Sequence, residues 1–445
     1  MKFRVEHDTF AEAVAWVARS LPSRPVVPVL SGMRLEARDG LLALSCFDYE
    51  LAASARITAD VLEPGTELVP GRLLAEITRS LPGQPAEVGS ESGEVNLSCG
   101  SAEFTLVSLP LADYPALPEP PPLAGTIEGG EMAAAVAQVL PAASRDDTLP
   151  ILTAVCLDID GGQVTLAATD RYRMAVRRLH WEPADPQLRA IALVPARLLA
   201  DAARIMAGGA PVTVAFEPGA EPAKRDGEPR PAEGTITFES GGRRLTGRLI
   251  AGEFIRYESR FPTEFGSYAE VPAASFTEAV RRVSLVADRA SPVRLTFSPG
   301  KAVIEAQTEG RARAVESVVA SFHGDESAIA FNPHYLLDGL TAAASATTPQ
   351  TGGDTARGGE EHGSQPSAAA WLRLDFTSPA KPALITPARA AVPSGADAGE
   401  AAESPAAADT AGEASTPPAA AAPAGAAPAP VFRYLVVPLR PPARS

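Results

Sequence analysis

Arginine recurs in this chain at places where contact chemistry could follow. Arg19, Arg72, Arg79, Arg197, Arg204, Arg281 and Arg282 fall in helix-like segments, and Arg24, Arg145 and Arg289 fall in polar turns behind three of them. Guanidinium groups spread this way suit phosphate contacts, which carry no sequence information and weaken with salt. A solvated helix face also carries arginines, so the weight rests on their recurrence in three parts of the chain. Catalytic constellations are missing from the sequence: there is no phosphate-loop motif, no HExxH and no GxSxG. The histidines, His7, His180, His323, His334 and His362, lack ligand spacing. Asp146 and Asp147 form an adjacent carboxylate pair, but behind a helix they read as a loop. Cys46, Cys99 and Cys156 sit in strand-like runs without CxxC spacing and read as buried thiols of a reducing compartment. No enzyme activity, metal or cofactor is expected.

The elements that would hold these residues repeat. Three windows align: TFAEAVAWV from Thr9, EMAAAVAQV from Glu131 and SFTEAVRRV from Ser275. Each carries large apolar residues at helical spacing, namely Phe10, Val14 and Val17, then Met132, Val136 and Val139, then Phe276, Val280 and Val283. Thr9 with Glu12, and Ser275 with Glu278, have the spacing of capping boxes that would open two of these helices. Downstream, strand-like runs follow in the same order each time. Then LVPGRLLAEI, LVPARLLADA and FNPHYLLDGL each lead through a proline into a second helix.

Each module thus reads as α+β, two helices packed on antiparallel sheet. The expected modules are 1–121, 122–262 and 263–445, with connectors in LPEPPPLAG and RFPTEFGSYAEVP. Segments 218–234, 342–369 and 387–429 are rich in Ala, Pro, Gly and acidic residues, and are expected to be disordered inserts. The formal net charge of −15 does not exclude a basic channel within an acidic shell. The opening MKFRVEHDTF lacks the pattern of a signal peptide and no window is long and apolar enough for a membrane span, so a cytoplasmic location and no membrane partner are expected.

The combination and order of MKFRVE, SLPSRPVVPVL, FDYEL, FTLVSLPLADYPALP, RDDTLPILT, ATDRYRMAV, RFPTEF, AFNPHYLLDGL and YLVVPLR resembles the bacterial DNA polymerase III beta subunit, the sliding clamp, in its actinobacterial style. The resemblance covers nearly the whole chain outside the inserts. It implies a clamp fold in which a head-to-tail homodimer of six modules encircles duplex DNA, with helices lining the hole. Twelve helices spaced at ~10 Å leave a bore of roughly 28 Å, wide enough for a duplex of about 20 Å; six would leave roughly 9 Å.

The same resemblance places DNA contacts at Arg24 and in the Arg145-Asp146 turn, with the other helix arginines as further candidates. It implies tethering of the polymerase catalytic subunit, the clamp loader and other proteins that carry clamp-binding peptides. Their pocket would use Leu152, Thr169, Arg171, Tyr172, Arg173, Met174, Asn332, Tyr335, Val436, Val437, Pro438, Leu439 and Arg440. The ring joint would set Phe104 and Leu106 against Leu285. The sequence departs from the family pattern at Ile255 and Ser259 and in the tail, where Val437-Pro438-Leu439-Arg440 stands for the usual Met-Pro-Met or Met-Pro-Val run and continues to Ser445, with Pro441 where a terminal leucine is expected. A specialised or inhibitor-tolerant second clamp is therefore an alternative, as is a clamp-fold scaffold that no longer encircles DNA.

Overall fold

The computed structural model describes residues 1–217, 234–288, 291–308, 310–346, 370–388 and 431–439. Their secondary structure repeats three times. Module 1 holds β1 (Lys2–Val5), α1 (His7–Ala18), β2 (Gly32–Arg38), β3 (Leu41–Phe47), β4 (Leu51–Thr58), β5 (Asp60–Glu63), β6 (Gly65–Pro70), α2 (Gly71–Ser80), β7 (Ala86–Glu91), β8 (Glu94–Cys99) and β9 (Ala102–Val107). Module 2 holds β10 (Leu123–Ile127), α3 (Gly129–Val139), β11 (Ala154–Asp160), β12 (Gln163–Thr169), β13 (Arg173–His180), β14 (Glu182–Pro183), β15 (Arg189–Pro195), α4 (Ala196–Met206), β16 (Val212–Glu217), β17 (Thr235–Ser240) and β18 (Arg243–Arg248). Module 3 holds β19 (Ser267–Pro272), α5 (Ala273–Ser284), β20 (Val293–Ser298), β21 (Lys301–Thr308), β22 (Ala312–Val319), β23 (Ser321–His323), β24 (Ser327–Phe331), α6 (Pro333–Ser345), β25 (Trp371–Phe376), β26 (Ala383–Ala388) and β27 (Phe432–Val436). Every strand of module 1 has counterparts in the other two modules.

Each module contributes four strands to one sheet and five to another. At the first seam β4 pairs antiparallel with β18, fusing four strands of module 1 to five of module 2. At the second, β13 pairs with β27 and fuses four strands of module 2 to five of module 3. Two sheets remain at the chain's ends: β5-β1-β7-β8-β9, bounded by β9, and β22-β21-β20-β24, bounded by β22.

The helices pack in pairs within modules, α1 on α2, α3 on α4 and α5 on α6, and α3 also meets α6 across the second seam. Their apolar stripes face the sheets: none of Phe10, Val14, Val17, Met132, Val136, Val139, Phe276, Val280 or Val283 is more than 2 % exposed. Burying such side chains is the main favourable term, at roughly 25 cal/mol per Å² of apolar surface.

Several local expectations change. Thr9 and Ser275 lie inside α1 and α5, which open at His7 and Ala273 without side-chain caps, so the capping boxes do not form. Side-chain caps open α3 and α6 instead: the Glu128 carboxylate accepts from Gly130 and Glu131 N–H groups, and Asn332 caps α6. Pro70 and Pro195 stand just before α2 and α4, whereas Pro333 is the first residue of α6. The segment expected to be an insert from Ala342 begins as helix, because Ala342 and Ala343 are buried in the last turn of α6. Alanine has the highest helix propensity, and small side chains admit close packing. Likewise Pro387 and Ala388 end β26 and Gly234 is a buried residue before β17; the rest of the three inserts lies outside the described residues.

Candidate functional site

The arginines divide into two groups. Arg24, Arg79, Arg145 and Arg197 are exposed and have no carboxylate partner among the described residues. Arg72 is held by its Nη2 donating to the Leu21 carbonyl at 3.0 Å. Arg204 and Arg281 are paired one helical turn back with Asp201 and Glu278, and Arg282 donates from Nε and Nη2 to Glu316 at 3.1 and 2.5 Å. These exposed pairs are weak enough for a phosphate to compete. Arg289 lies outside the described residues.

Behind Arg145, the Asp146 carboxylate accepts from the Thr148 hydroxyl at 2.7 Å and its backbone N–H at 3.0 Å, which holds this acid below the usual carboxylate range. Asp146 is therefore a turn former. No cluster of His, Cys, Asp and Glu among the described residues could hold a metal. The three cysteines are buried free thiols, and burial pushes Cys46 and Cys156 up to about 12.

A cleft of about 740 Å³ opens at the second seam, between the β12–β13 turn and the start of α6. The turn is built by Asp170, whose Oδ1 accepts from the N–H groups of Tyr172 and Arg173, both at 3.0 Å, while Arg171 takes a left-handed φ of 80°. Module 1 repeats this turn at Asp48, with Tyr49 at φ 75°. Thr169 is buried and locks the turn, its hydroxyl donating to the Arg173 carbonyl at 2.7 Å and accepting from Arg171 N–H at 3.2 Å.

This turn projects Tyr172 into the cleft, where it stacks on Tyr335 with ring centroids 6.1 Å apart. The Arg173 guanidinium lies 4.4 Å from the Tyr335 ring centroid and bonds to Asp170 and Asp338, with Tyr434 Oη at 3.4 Å. Burial opposes its charge, but these neighbours outweigh burial and raise its affinity for the proton. Arg173 is thus occupied within the protein. Asn332 is occupied too: its side-chain oxygen caps α6, accepting from His334 and Tyr335 N–H groups at 3.0 and 3.3 Å.

The end of the chain runs along the cleft, with Val437 N–H donating to the Tyr172 carbonyl at 2.8 Å and Leu439 N–H to the Ala330 carbonyl at 2.7 Å. The latter bond repeats in every module, as Leu109 N–H to Leu68 O and Ile250 N–H to Leu193 O. Pro438 is buried, Leu439 is exposed, and Arg440 lies outside the described residues.

Beside the cleft lies an apolar cluster on the outer face of the sheet. Met174 and Leu435 are opposite each other in register there, and the residue that packs against this cluster just before β11 is Ile151 rather than the expected Leu152, which is half-buried. Val436 points the other way and is fully buried in the main core, so it cannot wall a surface pocket. Side chains alternate along a strand, and a one-residue shift exchanges the faces. Sequence reasoning missed Leu435, and the period-two alternation of FRYLV around the core residue Tyr434 was the signal that could have found it. It also missed Asp338, which lies one helical turn beyond Tyr335.

The linker after β18 crosses this cluster, with Phe254, Tyr257 and Phe261 buried over it. Tyr257 Oη donates to Asp158 at 2.7 Å. Glu258 accepts from Arg178 Nη2 at 2.7 Å and from Arg433 Nη2 at 2.8 Å. Burial pushes this carboxyl up, but the hydrogen bonds of Arg433 and Arg178 prevail and hold it below the usual carboxylate range. Ile255 is half-buried in the linker, and Ser259 is exposed, its hydroxyl donating to the Arg256 carbonyl at 2.9 Å.

At the sheet ends, Phe104 is half-buried, Leu106 is 2 % exposed and Leu285 is 82 % exposed. Leu106 therefore faces its own module's core. The outward apolar residues at the two ends include Val107, Val315 and Val319.

Repeated α+β modules fused edge to edge, with paired helices on one side of the sheets, define the DNA-clamp fold. Residues 1–118, 126–255 and 258–348 match, in order, the N-terminal, central and C-terminal domains of the DNA polymerase III beta subunit. The chain belongs to this family of non-catalytic processivity subunits. It is 46 % identical over 397 residues to the beta sliding clamp of Streptomyces coelicolor, covering 89 % of this chain and 96 % of that one. It is 42 % identical to the beta sliding clamp homolog GriR of Streptomyces muensis, covering 77 % of this chain and 88 % of that one. Among solved structures, the sliding clamp of Bacillus subtilis shares the fold with a TM-score of 0.76 at 21 % identity, covering 99 % of both chains. The Pseudomonas aeruginosa clamp bound to griselimycin does so with the same TM-score at 22 % identity, again covering 99 % of both chains.

Proposed function

We propose that two copies of this chain close head to tail into a ring around duplex DNA and tether the DNA polymerase III catalytic subunit, the clamp loader and repair proteins through peptides bound at the second seam. The observation that carries the ring is the pair of unmatched sheet edges. Strands β9 and β22 are the counterparts of those that join at both internal seams, and together they would complete a third sheet of nine strands. At the internal seams Leu245 lies opposite Ala53, and Tyr434 opposite Ala175. Counting from the equivalent hairpins sets Phe104 opposite Ala314 of a second copy. A heterologous joint repeated by rotation closes when the angles sum to a full turn, and here closure would retain DNA.

The exposed arginines support sequence-independent phosphate contact. The apolar cluster around Met174 and Leu435, beside the Tyr172–Tyr335 stack, supports capture of a peptide with apolar anchors. The test loads the protein with its clamp loader onto nicked circular DNA, measures the mass of the free protein, and then linearises the circle. A dimer lost only on linearisation is expected. A monomer, or retention unaffected by linearisation, would count against the ring.

A second reading, a specialised or inhibitor-tolerant clamp, draws on Ile255 and Ser259 beside the cleft and on the tail beyond Leu439.

A further inference from the structure

We propose that Glu258 is a positioning residue for the partner cleft, pinning the linker that roofs the apolar cluster to strands of two modules at once. The inference rests on the peptide-binding reading above. Arg178 lies on β13 of module 2 and Arg433 on β27 of module 3, and both donate to the same carboxylate. Strand alternation puts Arg178, Val176 and Met174 on one face of the sheet. Arg433 and Leu435 share that face, in the pairs Val176–Arg433 and Met174–Leu435. Glu258 therefore sits over the seam, next along the strands from the apolar floor.

Its neighbours turn that anchor into a fixed roof height. The Arg433 guanidinium lies 4.0 Å from the Phe261 ring centroid, so the cation that holds Glu258 also backs an aromatic of the roof. Tyr257, adjacent in sequence, is tied to Asp158 on β11. Upstream, Gly252 has φ of 141° and lies so close to Ile151 that a Cβ would meet its side chain at 2.8 Å. The corresponding connector of module 1 differs: Tyr114 bonds to Phe47 N–H at 2.7 Å and packs on Val29, Leu30 and Leu68 of its own module. Its acids form no ion pair among the described residues. The seam-crossing anchor thus occurs where partner peptides would bind and is absent from the other connector.

Losing the anchor leaves the fold's core untouched but lets the roof sample positions that obstruct the peptide or fail to contact it. Apparent affinity then falls with the fraction of molecules whose roof is in place. The experiment uses the full chain and a fluorescein-labelled peptide from the clamp-binding segment of a DNA polymerase III catalytic subunit, read by anisotropy. Hydrogen exchange of the linker amides and the mass of the free protein are measured in parallel. Glu258→Gln and Glu258→Ala are expected to weaken the peptide roughly tenfold and to speed exchange across residues 254–261, with the mass unchanged. Arg178→Gln, made separately, should weaken it in the same direction. Unchanged affinity in both Glu258 variants would overturn the proposal while leaving the functional reading intact. Failure of the wild-type chain to bind the peptide would overturn that reading, and this inference with it.

Discussion

At the scale of single residues, close approach matters as much as polarity. Gly339 in α6 lies against the Tyr434 ring, and a Cβ there would come within 2.5 Å of Cδ1 and Cε1. Alanine would gain helix propensity of about 1 kcal/mol over glycine. The ring cannot give way easily, because its hydroxyl donates to the Tyr335 carbonyl at 2.9 Å and contacts Arg173. Overpacking of this kind costs about 1–3 kcal/mol and should prevail. Gly339→Ala is expected to lower the urea midpoint, whereas Gly83→Ala, where a Cβ meets nothing within 4 Å, should leave it unchanged or higher. The opposite order would show that Tyr434 is free to move. Several residues legible in sequence as peptide contacts prove to have internal duties: Asn332 caps a helix, Thr169 locks a turn and Val436 fills the core.

At the scale of elements, the strands carry assembly through their edges. A sheet edge with unpaired backbone groups and outward apolar side chains is a template for pairing. Both ends of this subunit present one, β9 with Val107 and β22 with Val315 and Val319. Phe104→Glu would place a carboxylate opposite Ala314 in the projected joint and near Glu316, which Arg282 already occupies. The expected result is a shift from dimer to monomer in sedimentation, with the circular dichroism spectrum of the wild type. A dimer of undiminished stability would exclude this edge from the joint. The helices were legible from their stripes, since a 3.6-residue period needs only local sequence. Their starts were not, because Thr9 and Ser275 have the spacing of caps while their backbones are already helical.

At the scale of the whole molecule, a net charge of −15 coexists with arginines distributed over helices and turns of all three modules. The exposed pairs among them are weak enough for phosphates to displace, so the cations available to DNA exceed the four that have no carboxylate partner among the described residues. Retention on closed circles should depend weakly on salt once the ring is shut, because topology and not affinity holds it. Direct binding to short linear duplex should fall steeply between 50 and 200 mM salt. Arg24→Glu is expected to weaken duplex binding at low salt and to slow loading onto nicked circles. Equal salt sensitivity on closed and linear DNA would sink the topological account.

What the sequence determined by itself was everything local and repeated: the threefold order of motifs, the helical stripes, the α+β class and the family. Helix periodicity and motif order survive in a linear string. What only the tertiary structure decided was pairing between distant strands, because register depends on partners remote in sequence. The β13–β27 pair joins residues more than 250 positions apart, and it alone assigns Leu435 to the apolar cluster beside the cleft and Val436 to the main core. The same is true of Glu258, whose two arginines come from different modules. Ion pairs of this kind are set by where strands meet, and no spacing in the chain announces them.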